Sequence, residues 1–113
     1  MLKIYHNNMC SKSRQTLQLL RESGQEVEVV EYLKHAPTEE ELKEVLQKLQ
    51  LRPEQLLRKG EKLYKEQFAG KQFSDAEWIR IMSENPVLIE RPIVVKGDKA
   101  VIGRPPENVQ ALL

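Results

Sequence analysis

The chain has only one cysteine, Cys10, among its 113 residues. A lone cysteine cannot form an internal disulfide, and it persists most naturally as a free thiol in a reducing compartment. No apolar run approaches the roughly 20 residues that a membrane-spanning helix needs. The N-terminal segment MLKIYHNNM is too short and too polar to be a secretory signal. We therefore expect a cytoplasmic protein without a membrane partner.

Neither sign of charge is in excess, because 18 basic residues face 17 acidic ones and the net charge is +1. Such a balance gives no electrostatic reason to expect nucleic acid as a partner. His6, Cys10 and His35 lack the spaced partners of a zinc site, so no metal is expected. Internal repeats and low-complexity segments are also absent. The length suits a single domain, which we place at residues 1–113.

The hydrophobic pattern at the start of the chain predicts a strand, a helix and a second strand. LKIYH at residues 2–6 and EVEVVEY at residues 26–32 are short β-branched or alternating runs. Between them, a helical apolar stripe begins near Ser11 and ends before Gly24. A strand, a helix and a strand within about 30 residues form a βαβ unit, whose strands are parallel.

The middle of the chain has helical spacing. Thr38 with Glu41, and Ser74 with Glu77, are capping boxes that predict the beginnings of two helices. Because strand patterns flank this region on both sides, we interpret residues 36–87 as a helical insertion within the domain.

The end of the chain returns to strands. Apolar runs at residues 93–95 and 100–102 predict a hairpin, although Gly97-Asp98 is not the favoured order for a two-residue turn. The prolines at 105–106 predict a last helix, whose apolar side comprises Val109, Leu112 and Leu113. The sum is an α/β, thioredoxin-like plan: a four-stranded mixed sheet flanked by helices, with a helical insertion in the middle of the chain.

Cys10 lies in the connection between the first strand and the first helix. One interpretation is a small buried hydrophobe, which is the usual state of a free cysteine. Its polar neighbours, however, offer no apolar pocket that would bury the thiol, and a helix N-terminus stabilises a thiolate. His6 either favours that ionisation or is a surface histidine at a strand end. Ser13 either caps the helix or meets an anion in its first turn.

Four sequence blocks closely resemble those of one known family, and they occur in that family's order. The blocks are IYHNNMCSKSRQTL, LLRKGE, FSDAEWIRIMSENPVLIERPIVV and GRPPENV, which are spread over nearly the whole chain, from residue 4 to residue 109. The chain is identified by them as similar to the ArsC-like arsenate reductases that depend on glutaredoxin and glutathione, within the thioredoxin-like superfamily.

The resemblance implies roles for seven residues. Cys10 matches the nucleophilic cysteine, His6 the histidine that helps lower the pKa of its thiol, and Ser13 the serine that hydrogen-bonds the thiolate. Pro92 matches a proline commonly held in cis beside the active cysteine. The three arginines that would bind an oxyanion substrate around the cysteine are Arg58, Arg91 and Arg104. Arginine suits this task because its guanidinium offers two parallel N–H groups to an oxyanion.

The implied activity is the reduction of arsenate to arsenite in arsenic detoxification, with glutathione as co-substrate, glutaredoxin as reductant and no bound cofactor. We expect a monomer. The chain departs from many relatives at Asn8-Met9 and at Ser11-Lys12, beside the cysteine. Ser13 replaces the second cysteine of a Cys-x-x-Cys pair, which argues against the related redox regulators that bind RNA polymerase. Two alternatives stay open: a thiol oxidoreductase with another substrate, and a non-enzymatic regulator of that kind.

Overall fold

A computed structural model describes all 113 residues of the chain. In chain order the elements are β1 (Leu2–His6), α1 (Ser11–Glu22), β2 (Val27–Glu31), α2 (Glu39–Leu49), α3 (Lys62–Gln67), α4 (Asp75–Glu84), β3 (Ile93–Lys96) and β4 (Lys99–Ile102), with 3-10 helices at Pro53–Leu56, Pro86–Leu88 and Pro106–Leu112. They fall into two compact units, residues 1–35 with 91–113 and residues 36–90. None of the helices combines the length and the apolar character needed to cross a membrane.

The first unit contains the sheet, whose strand order is β2-β1-β3-β4. Strands β1 and β2 are parallel, with His6 opposite Glu31, whereas β3 runs antiparallel to both of its neighbours, with Ile93 opposite Tyr5 and Ile102. The predicted βαβ unit and mixed four-stranded sheet are thus confirmed. This register brings the ends of β1, β2 and β4 and the beginning of β3 to one edge of the sheet.

One hydrophobic cluster joins the sheet to α1 and to the last 3-10 helix. The strands contribute alternate residues to this cluster and the helices contribute residues three apart, because side chains at these spacings lie on one face of a strand or a helix. Its buried members are Leu2, Ile4, Leu17, Leu20, Val94, Val109 and Leu112. The predicted placement of Leu113 on the apolar side is wrong, because that residue is 41% exposed. A 3-10 helix repeats every three residues, so Pro106, Val109 and Leu112 share the buried face and Leu113 does not.

The turn between β3 and β4 corrects the expectation that Gly97-Asp98 is an unfavourable order. Lys96 pairs with Lys99, so the loop has two residues. Gly97 has φ +61, and no positive φ occurs at Asp98. A positive φ at the first central position alone is the mark of a type II′ turn, in which glycine comes first. The order is unfavourable only for the type I′ turn.

The second unit, residues 36–90, is built mainly from helices, and the insertion predicted at residues 36–87 falls within it. Both predicted capping boxes are formed: the Thr38 and Ser74 hydroxyls accept from the N–H groups of Glu41 and Glu77, whose carboxylates accept in return. Trp78, which is 1% exposed, is the centre of an aromatic cluster with Tyr64, Phe68 and Phe73. Helices α2 and α4 pack against each other in this unit.

Candidate active site

Four chain segments of the first unit meet at the sheet edge where β1, β2 and β4 end. His6 is the last residue of β1, and Cys10 follows in the connection to α1. Tyr32 follows β2, Arg91 precedes β3, and Arg104 follows β4. The topology therefore gathers side chains that lie up to 94 positions apart in sequence.

Cys10 occupies the N-cap position of α1 with an extended backbone, φ −99° and ψ 122°. Its carbonyl accepts the first helical hydrogen bond, from the N–H of Arg14 at 3.0 Å. The backbone N–H groups of Ser13 and Lys12, in the first turn of this helix, favour a negative charge on its sulfur and so lower the pKa of the thiol. These are the free amides of a helix N-terminus, where a negative charge is stabilised.

Cys10 is only 8% exposed, so its thiol is buried although its polar sequence neighbours offer no apolar pocket. Groups far along the chain lie against the thiol. The Arg91 guanidinium lies close enough to the Cys10 sulfur to lower the pKa of its thiol, and Nη2 of Arg104 donates to the sulfur at 3.9 Å. The thiol is thus buried among cationic and amide groups, not in an apolar pocket.

The pKa of the Cys10 thiol is lowered by these surroundings. Burial is the largest influence and raises the pKa, but the Arg91 guanidinium and the Ser13 and Lys12 amides together outweigh it. Arg104 is held in place by a hydrogen bond from its Nε to the carbonyl of Arg91, at 2.8 Å. The Arg91–Pro92 and Arg104–Pro105 peptide bonds are both cis.

His6 is buried, with 3% exposure, so the surface-histidine interpretation is wrong. Its Nδ1 lies 2.6 Å from Ser13 Oγ and its Nε2 lies 3.4 Å from Asn8 Oδ1, so neither ring nitrogen faces Cys10. Ser13 Oγ also accepts from the N–H of Asn7 at 3.1 Å. When Nδ1 carries the proton, it donates to Ser13 Oγ and leaves the hydroxyl proton free for another acceptor. The His6 ring therefore contacts Ser13 and Asn8, and its action on the thiol stays a prediction.

Arg58, the third predicted anion ligand, belongs to the second unit. Its guanidinium is partly buried and lies 3.6 Å from one carboxylate oxygen each of Glu61 and Glu90. Its backbone N–H donates to the carbonyl of Leu88 at 2.8 Å. The structure thus brings Arg91 and Arg104 to Cys10, whereas the Arg58 guanidinium contacts two carboxylates of its own unit. Its role in anion binding stays a prediction.

The model of the ArsC family matches residues 5–112. The chain belongs to the ArsC family. The uncharacterized protein YfgD of Escherichia coli K12 is 49% identical over 110 residues, covering 96% of this chain and 92% of that protein. The arsenate reductase of Haemophilus influenzae is 44% identical over 112 residues, covering 97% of each.

The arsenate reductase from Vibrio cholerae has the same fold as this ArsC-family chain. The two share 47% identity with a TM-score of 0.95, over 99% of this chain and 97% of the other. The family resemblance drawn from the four sequence blocks is therefore confirmed, and so is the thioredoxin-like arrangement of a mixed sheet flanked by helices.

Sequence analysis did not single out two residues that shape this ArsC-family site. Tyr32 is 1% exposed, and it is one of the groups that raise the pKa of the Arg91 guanidinium against the opposing effect of burial. Gly103 packs so closely that a Cβ there would lie 2.7 Å from Thr16 Oγ1 and 2.9 Å from Pro92 Cγ. For Gly103, its position directly before an Arg-Pro pair was a usable signal in the sequence. For Tyr32, a tyrosine at the end of a strand offered no such signal.

The arrangement suits nucleophilic attack on an anion. A thiol with a lowered pKa supplies the nucleophile at neutral pH, and the same guanidinium and amide donors that stabilise the thiolate can bind oxyanion oxygens. No three His, Cys, Asp or Glu side chains cluster as metal ligands.

Proposed function

We propose that this ArsC-family protein is an arsenate reductase with Cys10 as its nucleophile. The observation that carries the proposal is the Cys10 thiol at the N-terminus of α1, with its pKa lowered by Arg91 and two helix amides. Relatives of nearly equal length, such as that of Haemophilus influenzae, are named arsenate reductases, which supports arsenate as the substrate.

In the first step the Cys10 thiolate attacks the arsenic atom of arsenate. A sulfur–arsenic bond forms and one arsenate oxygen leaves as hydroxide, so arsenic remains As(V) in the covalent adduct. Arg91 and Arg104 neutralise charge on the remaining oxygens, because guanidinium groups donate two N–H groups to an oxyanion. Arg58 is the third cation that we assign to this task, on the resemblance alone.

In the second step the thiolate of glutathione attacks the Cys10 sulfur of the adduct. A sulfur–sulfur bond forms, the sulfur–arsenic bond breaks, and its electron pair passes to arsenic, which leaves as arsenite in the As(III) state. Cys10 then carries a mixed disulfide with glutathione. A glutaredoxin thiolate attacks the glutathione sulfur of that disulfide and returns the Cys10 thiolate. An external thiol is needed because Cys10 is the only cysteine.

His6 and Ser13 support the thiolate in this scheme. Their hydrogen bond, 2.6 Å between Nδ1 and Oγ, fixes the direction in which the serine hydroxyl points. Glutathione is a co-substrate, and the reaction as written needs no bound metal or organic cofactor.

The test is an arsenate-reduction assay with glutathione, glutaredoxin and glutathione reductase, followed by NADPH consumption. We expect arsenate-dependent turnover in the wild type and none above background in Cys10→Ser. Ser11→Ala, which changes an exposed residue beside the cysteine, is the matched control and should retain activity. Turnover that persists in Cys10→Ser would refute the mechanism, and a wild-type rate at background would refute arsenate as the substrate.

A thiol oxidoreductase acting on another oxyanion is the second candidate. It is favoured by the chemistry of the site, since the guanidinium groups beside Cys10 recognise oxyanion charge and shape but not arsenic itself. If arsenate is not turned over, a different oxyanion that protects Cys10 from alkylation would identify the substrate of such an enzyme. A polymerase-binding regulator, in contrast, would retain RNA polymerase in a pull-down irrespective of the state of Cys10.

A further inference from the structure

Two carboxylates lie against the Arg58 guanidinium in the second unit. Nη1 of Arg58 lies 3.6 Å from Oε2 of Glu61, and its Nε lies 3.6 Å from Oε1 of Glu90. The Arg58 side chain is 22% exposed and each glutamate side chain 27%, so water screens these charges less than those of a fully exposed pair. One positive and two negative charges leave this cluster with a net negative charge.

Backbone hydrogen bonds hold both glutamates beside Arg58. The N–H of Arg58 donates to the carbonyl of Leu88 at 2.8 Å. The N–H of Glu90 donates to the carbonyl of Leu56 at 2.8 Å, so the two segments pair in an antiparallel bridge. Glu61 follows in a turn that its own N–H closes on the Arg58 carbonyl at 3.1 Å. The Glu61 carboxylate does not cap α3, although this residue occupies the N-cap position, and it faces Arg58 instead.

The contacts between these side chains are ionic. At 3.6 Å they are longer than the roughly 2.7–3.2 Å of an N–H···O hydrogen bond, so charge attraction holds them. An oxyanion offers the same guanidinium shorter, charge-assisted hydrogen bonds, but it also meets the repulsion of two carboxylates. Anion binding at Arg58 therefore requires that the guanidinium exchange its carboxylate partners for the anion.

We propose that Glu61 and Glu90 form an acidic clamp on Arg58 that competes with the substrate oxyanion and lowers the affinity of the protein for it. The inference rests on the proposed function in assigning Arg58 to the substrate anion. Nearby lysines do not offset the clamp, because they have carboxylate partners of their own. These pairs are Lys59 with Glu54 at 3.8 Å and Lys62 with Glu66 at 3.7 Å.

The test measures the dissociation constant of arsenate in the full-length protein, without glutathione or glutaredoxin. Arsenate protects Cys10 from alkylation by iodoacetamide, and each variant is compared with its own rate without arsenate. Glu61→Gln and Glu90→Gln each remove one negative charge and keep the shape of the side chain. We expect each to lower the dissociation constant roughly two- to fivefold, the range that one ion pair accounts for. Glu54→Gln, which removes the same charge from the pair with Lys59, is the matched control and should leave it unchanged.

A double-mutant cycle tests whether the clamp acts through Arg58. In an Arg58→Met background the two glutamate substitutions should no longer tighten arsenate binding. A gain that persists in this background would overturn the inference, and so would an Arg58→Met protein that binds arsenate like the wild type. Glutamate variants that match Glu54→Gln, or that bind arsenate more weakly than the wild type, would also overturn it. Because the two glutamates are tested separately, one variant that fails to fold does not end the test.

The outcomes for the clamp and for the proposed function are distinguishable, because arsenate turnover is measured separately. An active enzyme whose glutamate variants bind arsenate like the wild type would refute the clamp and leave the proposed function standing. Tighter binding in the glutamate variants of a protein without turnover would support the clamp and refute the reductase. If arsenate does not protect the wild type, the double variant Glu61→Gln with Glu90→Gln should gain protection, and its failure to do so would overturn the inference.

Discussion

Replacing Gly103 by alanine tests how the fold holds the active-site loops together. Gly103 lies between the end of β4 and Arg104, and its N–H donates to the carbonyl of Pro92 at 2.8 Å. A Cβ at this position would lie 2.7 Å from Thr16 Oγ1, 2.9 Å from Pro92 Cγ and 3.0 Å from Thr16 Cγ2. Thr16 cannot easily yield, because it is fully buried and its hydroxyl donates to the Lys12 carbonyl at 2.8 Å.

The magnitude follows from these distances. Non-bonded carbon atoms are most stable about 3.5–4.0 Å apart, so three contacts would be too short by several tenths of an ångström or more. Overpacking of this kind costs about 1–3 kcal/mol. The lower entropy of an unfolded chain with alanine offsets about 0.4–1 kcal/mol of that cost. We expect Gly103→Ala to lose about 1–2 kcal/mol of unfolding free energy and to lower Tm by about 4–10 °C.

Thermal and urea unfolding followed by circular dichroism measure this change. Gly60→Ala is the matched control, since nothing lies within 4 Å of its Cβ and its φ is not positive; it should be neutral or slightly stabilising. Thr16→Ala removes two of the three short contacts, so in the Gly103→Ala background it should cost less than it does alone. The reasoning is refuted if Gly103→Ala has the same Tm as Gly60→Ala. It is also refuted if the losses of unfolding free energy caused by Gly103→Ala and Thr16→Ala simply add in the double variant.

Three further predictions follow from the site and the helix ends. Arg91→Met raises the pKa of the Cys10 thiol more than Arg104→Met does, since Arg91 is the main group lowering it; equal alkylation midpoints in the two variants would contradict this. A lowered thiol pKa stabilises the fold only where the thiol is ionised, so the stability of wild type over Cys10→Ser grows as pH rises towards the ordinary thiol value of about 8.5. This stability advantage disappears as pH falls through the folded-state pKa of the thiol. Urea titrations of both proteins at several pH values measure the advantage, and an advantage that does not vary with pH would contradict the lowered pKa. Ser74→Ala removes the cap of α4 and lowers the unfolding free energy by about 1 kcal/mol, with Ser11→Ala as a control that should not change it.

The elements of this fold were predictable wherever the governing interaction is local. Both capping boxes involve residues three apart, so the sequence contains every partner in the interaction. Strand and helix periods likewise predicted the βαβ unit and the hairpin. The misplaced Leu113 came from assuming an α-helical repeat where the chain forms a 3-10 helix. The turn at Gly97 was misjudged because two turn types with opposite glycine preferences connect such strands.

The candidate site likewise combines features that depend on neighbours in sequence with features that depend on long-range contacts. The position of Cys10 at a helix N-terminus follows from sequence, because the connection and the helix are adjacent in the chain. The burial of its thiol does not, since it depends on Arg91 and Arg104, which the sheet order brings back to the end of β1. Residue type gave no warning that His6 would be buried against Ser13.

Residues close in sequence and motifs with fixed spacing were enough to predict the family, the order of elements and the place of Cys10 at a helix N-terminus. Only the tertiary structure decided what surrounds the sulfur. Tyr32, Arg91 and Gly103 lie at three separate strand ends. The effect of Arg91 on Cys10 and the packing of Gly103 against Thr16 and Pro92 arise only when the sheet is assembled.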